Sequence, residues 1–93
     1  MLYQIKVTHF VNKIGKNFSP EIKNAAKAAL KELAQNPNIG KELQGELSGF
    51  RSYRFMRYRI IYKIDTQGEN VIVWAIGHRR DIYENLSGLL LKQ

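Results

Sequence analysis

The chain contains no cysteine, which excludes disulfides, thiolate metal sites and cysteine nucleophiles. Histidine is nearly absent too: His9 and His78 lie far apart and make no ligand-spacing motif. No apolar run near the N-terminus is long enough for a secretory signal or a membrane span, so a cytoplasmic protein that touches no membrane is expected. Acidic residues are scarce, 8 against 15 Lys and Arg, for a net charge of +7. Such an excess suits a polyanionic partner, nucleic acid or an acidic protein, although a merely solvating basic surface has the same composition. What remains is sufficient for a fold. The 93 residues fit one domain over 1–93, and 44% are hydrophobic, which argues against disorder.

The order of elements follows from periodicity and caps. Leu2 to Val7 alternates apolar and polar residues and predicts a strand. Thr8 can cap a short helix that carries Phe10, Val11 and Ile14 and ends near Gly15. Ser19-Pro20-Glu21 is a helix start, with serine at the N-cap, proline at the first helical position and an acid in the first turn. Ile22, Ala25, Ala26, Ala29, Leu30 and Leu33 then recur on one stripe until Asn36-Pro37 stops the helix. Residues 38–49, with three glycines, read as a connecting loop. Three strands follow, over 50–55, 57–64 and 71–76, joined by hairpin-length connections and therefore antiparallel. In the second, Tyr58, Ile60, Tyr62 and Ile64 share one face, and Arg57, Arg59, Ile61 and Lys63 the other. The third is apolar throughout, as expected of a strand covered on both faces. The tail from Asp81 to Gln93 could form a last short helix. The fold class is therefore α+β, with the apolar stripe of the long helix against one sheet face. Arginine, tyrosine and the tail are left to cover the other.

Chemistry concentrates in two segments. Residues 51–59 hold four arginines (Arg51, Arg54, Arg57, Arg59) and two tyrosines (Tyr53, Tyr58), and Gly77-His78-Arg79-Arg80-Asp81-Ile82-Tyr83 follows the last strand directly. Both belong to one meander and can converge at one end of the sheet. Arginine binds phosphate through two parallel hydrogen bonds and tyrosine stacks on bases, so this is a composition for RNA binding; an ordinary edge of long amphipathic side chains has it too. Lys23, Lys27 and Lys31 make a basic ridge on the long helix, either a solvated face or, at Lys27, an auxiliary phosphate contact. His78 alone in the two segments has an ordinary pKa suited to proton transfer near neutral pH, and can be read as acid or base, or as a strand-end residue facing solvent. His9, beside Phe10, reads as structural.

Gly45-Glu46-Leu47-Ser48-Gly49, Tyr53-Arg54, Tyr58-Arg59-Ile60-Ile61-Tyr62-Lys63-Ile64 and Gly77-His78-Arg79-Arg80-Asp81-Ile82-Tyr83, at this spacing, resemble the signature of the RelE/ParE toxin superfamily. The resemblance implies a microbial RNase-like fold and a toxin–antitoxin pair. It implies a cognate acidic antitoxin, expected to wrap the long helix and the sheet edge, and a toxin–antitoxin complex that binds operator DNA. In RelE-like members it implies metal-free, cofactor-free cleavage of mRNA in the ribosomal A site, where the ribose 2′-hydroxyl attacks its own phosphate. By the same resemblance Arg59 and Arg79 stabilise the phosphorane and Tyr83 stacks on or orients the nucleotide. Arg54 falls where RelE has a catalytic lysine; a guanidinium stays protonated, so its role would be electrostatic. Lys41 stands where the related YoeB toxins carry a glutamate base. Arg51, Tyr53, Arg57, Arg80 and Lys27 would supply further RNA contacts. ParE-like gyrase inhibition by protein binding is the alternative, and a member decayed in catalysis a third.

Overall fold

The structure, a computed structural model, describes residues 2–78. Strand β1 spans Gln4–Val7, helix α1 His9–Gly15 and helix α2 Pro20–Gln35. Strands β2 (Lys41–Glu42), β3 (Arg51–Phe55), β4 (Tyr58–Asp65) and β5 (Asn70–His78) follow. Both helices start where the caps predict. Thr8 Oγ1 accepts from the Val11 N–H and Ser19 Oγ from the Ile22 N–H, each satisfying an orphan donor of the first turn.

The strands form one five-stranded sheet in the order β1-β5-β4-β3-β2. β1 lies parallel to β5, and the other pairings are antiparallel. The loop reading of 38–49 is corrected in one respect: Lys41–Glu42 pairs with Ser52 and Arg51 as a two-residue edge strand, flanked by 3-10 turns at Pro37–Ile39 and Gly45–Leu47. Two residues carry no detectable alternation, so nothing in their sequence distinguishes this strand from a loop. The expected tail helix lies outside the described residues.

The predicted stripe of α2 closes one face of the sheet. Ala26, Ala29 and Leu33 are buried against Ile60, Tyr62, Val71, Val73 and Ile76, with Ile22, Ala25 and Leu30 at the margin. Tyr62 is fully buried with its hydroxyl satisfied twice, accepting from the Gly40 N–H at 3.0 Å and donating to the Pro37 carbonyl at 2.6 Å. Burial pushes its phenol pKa up, against a smaller opposing effect of the Gly40 N–H. A side chain at Gly40 would meet that hydroxyl, a Cβ there standing 2.3 Å from it, so the close approach needs glycine. On the opposite face Phe50, Ile61 and Ala75 form a smaller cluster. Leu43 and Leu47 of the connecting segment, with Trp74, pack against it, so this segment shares the covering role that the sequence assigned to arginine, tyrosine and the tail.

Candidate functional site

The β3–β4 hairpin sets the site. Its register pairs Ser52 with Ile61, Arg54 with Arg59 and Phe55 with Tyr58, leaving residues 56 and 57 as a two-residue turn. Met56 adopts φ 52°, a left-handed conformation that hairpin turns of this length normally give to glycine or asparagine. Directly paired residues share a face, so Arg54 and Arg59 stand side by side on the face away from α2. Like charges placed so repel by a few tenths to about 1 kcal/mol. Among the described residues no carboxylate pairs with them, the one salt bridge there joining Arg51 to Glu42.

Arg59 is held from below. One of its terminal nitrogens donates to the Ser52 Oγ at 3.2 Å, and Ser52 is itself buried. Its Nε is buried with no hydrogen-bond partner, a costly state unless something outside the described residues completes it. The neighbouring strand offers Gly77 opposite Arg59, so no side chain of β5 stands beside the guanidinium there. Arg54 is exposed, its Nε donating to the Met56 carbonyl at 3.3 Å, and Arg57 is exposed at the turn. The hairpin thus sets two guanidinium-bearing side chains side by side, Arg59 anchored and Arg54 exposed.

Other expected site residues lie elsewhere. Arg51 sits at the far end of β3, bound to Glu42 at 3.0 Å and to the Gly40 carbonyl at 2.7 Å. Tyr53 faces α2 and hydrogen-bonds the Glu32 carboxylate, which holds its phenol pKa above the ordinary value. Lys27 is exposed on α2, across the sheet from the arginines. Arg79, Arg80 and Tyr83 lie outside the described residues. Ser52 went unnoticed in the sequence; its position two residues before Arg54, on the same strand face, was the available signal.

His78 lies at the same end of the sheet as Arg59 but on the opposite face, exposed at the end of β5. It pairs with Tyr58, and its ring stands edge-on to the Tyr58 ring at 5.8 Å. Tyr58 in turn meets Phe18 at 5.4 Å and stacks on Phe55 at 5.6 Å, all on the helix side. The cause is a register shift: Ile61 pairs with Ala75 but Tyr62 with Val73, which leaves Trp74 as the extra residue of a β-bulge. Unbroken alternation from Ile72, which pairs with Lys63, would have set His78 on the Arg59 face, opposite Arg57. One extra residue inverts everything after it.

Among the described residues no three His, Cys, Asp or Glu side chains group as a metal site would require, and no helix is long and apolar enough to cross a membrane.

The comparisons agree with this fold. A model of the family described as the ParE toxin of type II toxin–antitoxin system, parDE, matches residues 6–83. The chain belongs to the RelE/ParE superfamily of toxins from type II toxin–antitoxin systems. It is 39% identical over 56 residues to the toxin RelG of Mycobacterium tuberculosis, a match covering 59% of this chain and 64% of that protein, thus less than two thirds of the relative's length. It resembles a chain of a RelBE toxin–antitoxin complex from the same organism with a TM-score of 0.78 at 30% identity, covering 85% of this chain and 100% of that one. A RelE variant of E. coli in the free state shares the fold with a TM-score of 0.79 at 18% identity, covering 99% of this chain and 97% of that one.

Proposed function

We propose that the chain is a ribosome-dependent mRNA endoribonuclease that works without a metal or cofactor and is restrained by an acidic antitoxin. The observation that carries this reading is the Arg54–Arg59 pair, two arginines paired across a hairpin with no carboxylate beside them, and one buried Nε unpartnered, among the described residues. A phosphodiester supplies the missing charge and acceptors. In the reaction the ribose 2′-oxygen bonds to phosphorus and the bond to the 5′-oxygen breaks, giving a 2′,3′-cyclic phosphate and a 5′-hydroxyl. The phosphorane between them carries more negative charge than the ground state. Guanidinium groups already fixed in place therefore bind the transition state preferentially. Arg59, anchored on Ser52, is the preorganised group, and Arg54 adds field without serving as a base. Arg79 and Tyr83 complete the site by resemblance, the first on the phosphate and the second on the nucleotide. As in the relatives solved as toxin–antitoxin complexes, the partner is an antitoxin, and by the family resemblance the complex of the two binds operator DNA. The site of action is the cytoplasm.

A second reading has its own support: the matching family model is described as the ParE toxin, and ParE-like action is inhibition of DNA gyrase by protein binding. One experiment separates the two. Purified chain is added to programmed ribosomes and mRNA ends are mapped, with a gyrase supercoiling assay beside it. Cleavage within the A-site codon that persists at chelated trace metal, with ribosomes verified intact, supports the nuclease. Blocked supercoiling with intact mRNA supports the gyrase reading.

A further inference from the structure

Lys63 carries a charge that the proposed chemistry leaves unused. It follows Arg59 on β4 at a spacing that puts both side chains on the face away from α2. The rise of a strand sets the two residues roughly 13 Å apart. Between them Ile61 and Ala75 are fully buried in the smaller apolar cluster with Phe50. Arg59 and Lys63 are therefore two discrete charges, not one patch. The Lys63 ammonium is held over two aromatic rings, its Nζ 4.4 Å from the Phe50 centroid and 5.7 Å from that of Trp74. Among the described residues it makes no salt bridge. The next carboxylate along the strand, that of Asp65, is engaged by the Gly68 N–H and the Asn70 side chain. Trp74, the extra residue of the β5 bulge, has no partner on β4 and meets the Phe50 ring edge-on at 5.7 Å. Its half-buried indole thus stands on the same face as Lys63. Bulges re-aim side chains in this way beside functional surfaces.

A positioned ammonium beside a partly open indole matches the two halves of a nucleotide, the phosphate and the base. An acidic peptide meets the charge alone; the indole and the face shared with Arg59 favour RNA. We propose that Lys63 and Trp74 form a second nucleotide subsite. Resting on the function proposed above, it receives a nucleotide of the same strand whose scissile phosphate lies at Arg59. The RNA then runs along β4, and its affinity depends on its length. A dinucleotide has a single bridging phosphate and cannot occupy both charges, whereas a longer strand reaches the two together.

The chain has one tryptophan, so its fluorescence reports on the subsite directly. The test compares a hexanucleotide with a dinucleotide, both 2′-O-methylated so that the 2′-oxygen cannot attack. The hexanucleotide should quench Trp74, and the dinucleotide should leave its emission unchanged. This comparison needs no variant. Lys63→Met keeps an aliphatic stem over the rings and removes the charge. It should weaken the hexanucleotide about tenfold at low salt and flatten the slope of log affinity against log salt by about 0.7, with dinucleotide binding unaltered. Lys63→Arg should restore both quantities. Equal quenching by the two RNAs, undiminished hexanucleotide binding by Lys63→Met, or no RNA binding by the wild type would overturn the proposal. So would quenching by oligoglutamate that the hexanucleotide fails to compete. Cleavage on programmed ribosomes keeps the two readings apart. Length-dependent quenching without any mRNA cleavage counts against the proposed activity alone. Cleavage by a Lys63→Met variant whose RNA binding is undiminished counts against the subsite alone.

Discussion

The two faces of the sheet are built on opposite principles. On the helix side the core is closed: Leu33, Ile60, Tyr62, Val71 and Val73 are fully buried, and even the Tyr62 hydroxyl is satisfied on both sides. On the other face two arginines are opposed, a guanidinium nitrogen is buried without a partner, and Ser52 is a buried polar residue whose hydroxyl serves one of those arginines. Folding alone does not explain the second arrangement, since apolar side chains of similar size would pack there without charge repulsion. The first face supplies the stability that the second gives up, as expected where function requires strain.

The contrast breaks most sharply in the core. Leu33→Ala removes a side chain with no exposure and should cost about 2–5 kcal/mol. In a domain this small that is a large share of the total, visible as a melting point lowered by at least ~10 °C. Tyr62→Phe keeps the ring but leaves the Gly40 N–H and the Pro37 carbonyl unpaired, and should cost about 1–3 kcal/mol in denaturant unfolding. Arg54→Leu on the opposite face should leave stability unchanged or raise it by up to about 1 kcal/mol, by removing one of two like charges. A melting point lowered as far as that of Tyr62→Phe would show that the arginine pair holds the hairpin together.

The smallest effect is a pH dependence in the β4–β5 turn. The Gly68 N–H and then the Asn70 side chain hydrogen-bond the Asp65 carboxylate and hold its pKa below the ordinary value. A folded-state pKa below the unfolded one stabilises above the unfolded value and ceases to do so as pH falls through the folded one. Asp65→Ala should therefore melt slightly below wild type at neutral pH. The two should converge below about pH 4, near the ordinary carboxylate range. Because Asp65 is at the surface, added salt should shrink the difference further.

The helix side was legible in the sequence because local signals agreed with the fold. Ser19-Pro20 fixed the start of α2, the apolar stripe fixed its inner face, and Tyr58, Ile60, Tyr62 and Ile64 alternate onto that face as expected. The arginine side was legible only in part. Arg54 and Arg59 share a face, but their direct pairing depends on a two-residue turn that places Met56 at φ 52°, with no Asn-Gly or Asp-Gly to announce it. The face on which His78 falls was not legible, because the bulge at Trp74 sits inside a uniformly apolar run, where no polar residue marks the change of phase. The Arg51 bonds to Glu42 and Gly40 depend on β2, a strand too short to leave a pattern.

The most direct test of the central claim is Arg59→Ala, measured for mRNA cleavage on programmed ribosomes and for thermal stability in the same preparation. Loss of one preorganised charge at the phosphorane should slow cleavage on the order of 10²–10³-fold, with the melting point within a few degrees of wild type. A variant that melts normally and cleaves at the wild-type rate would contradict the assignment of the arginine face as the catalytic surface.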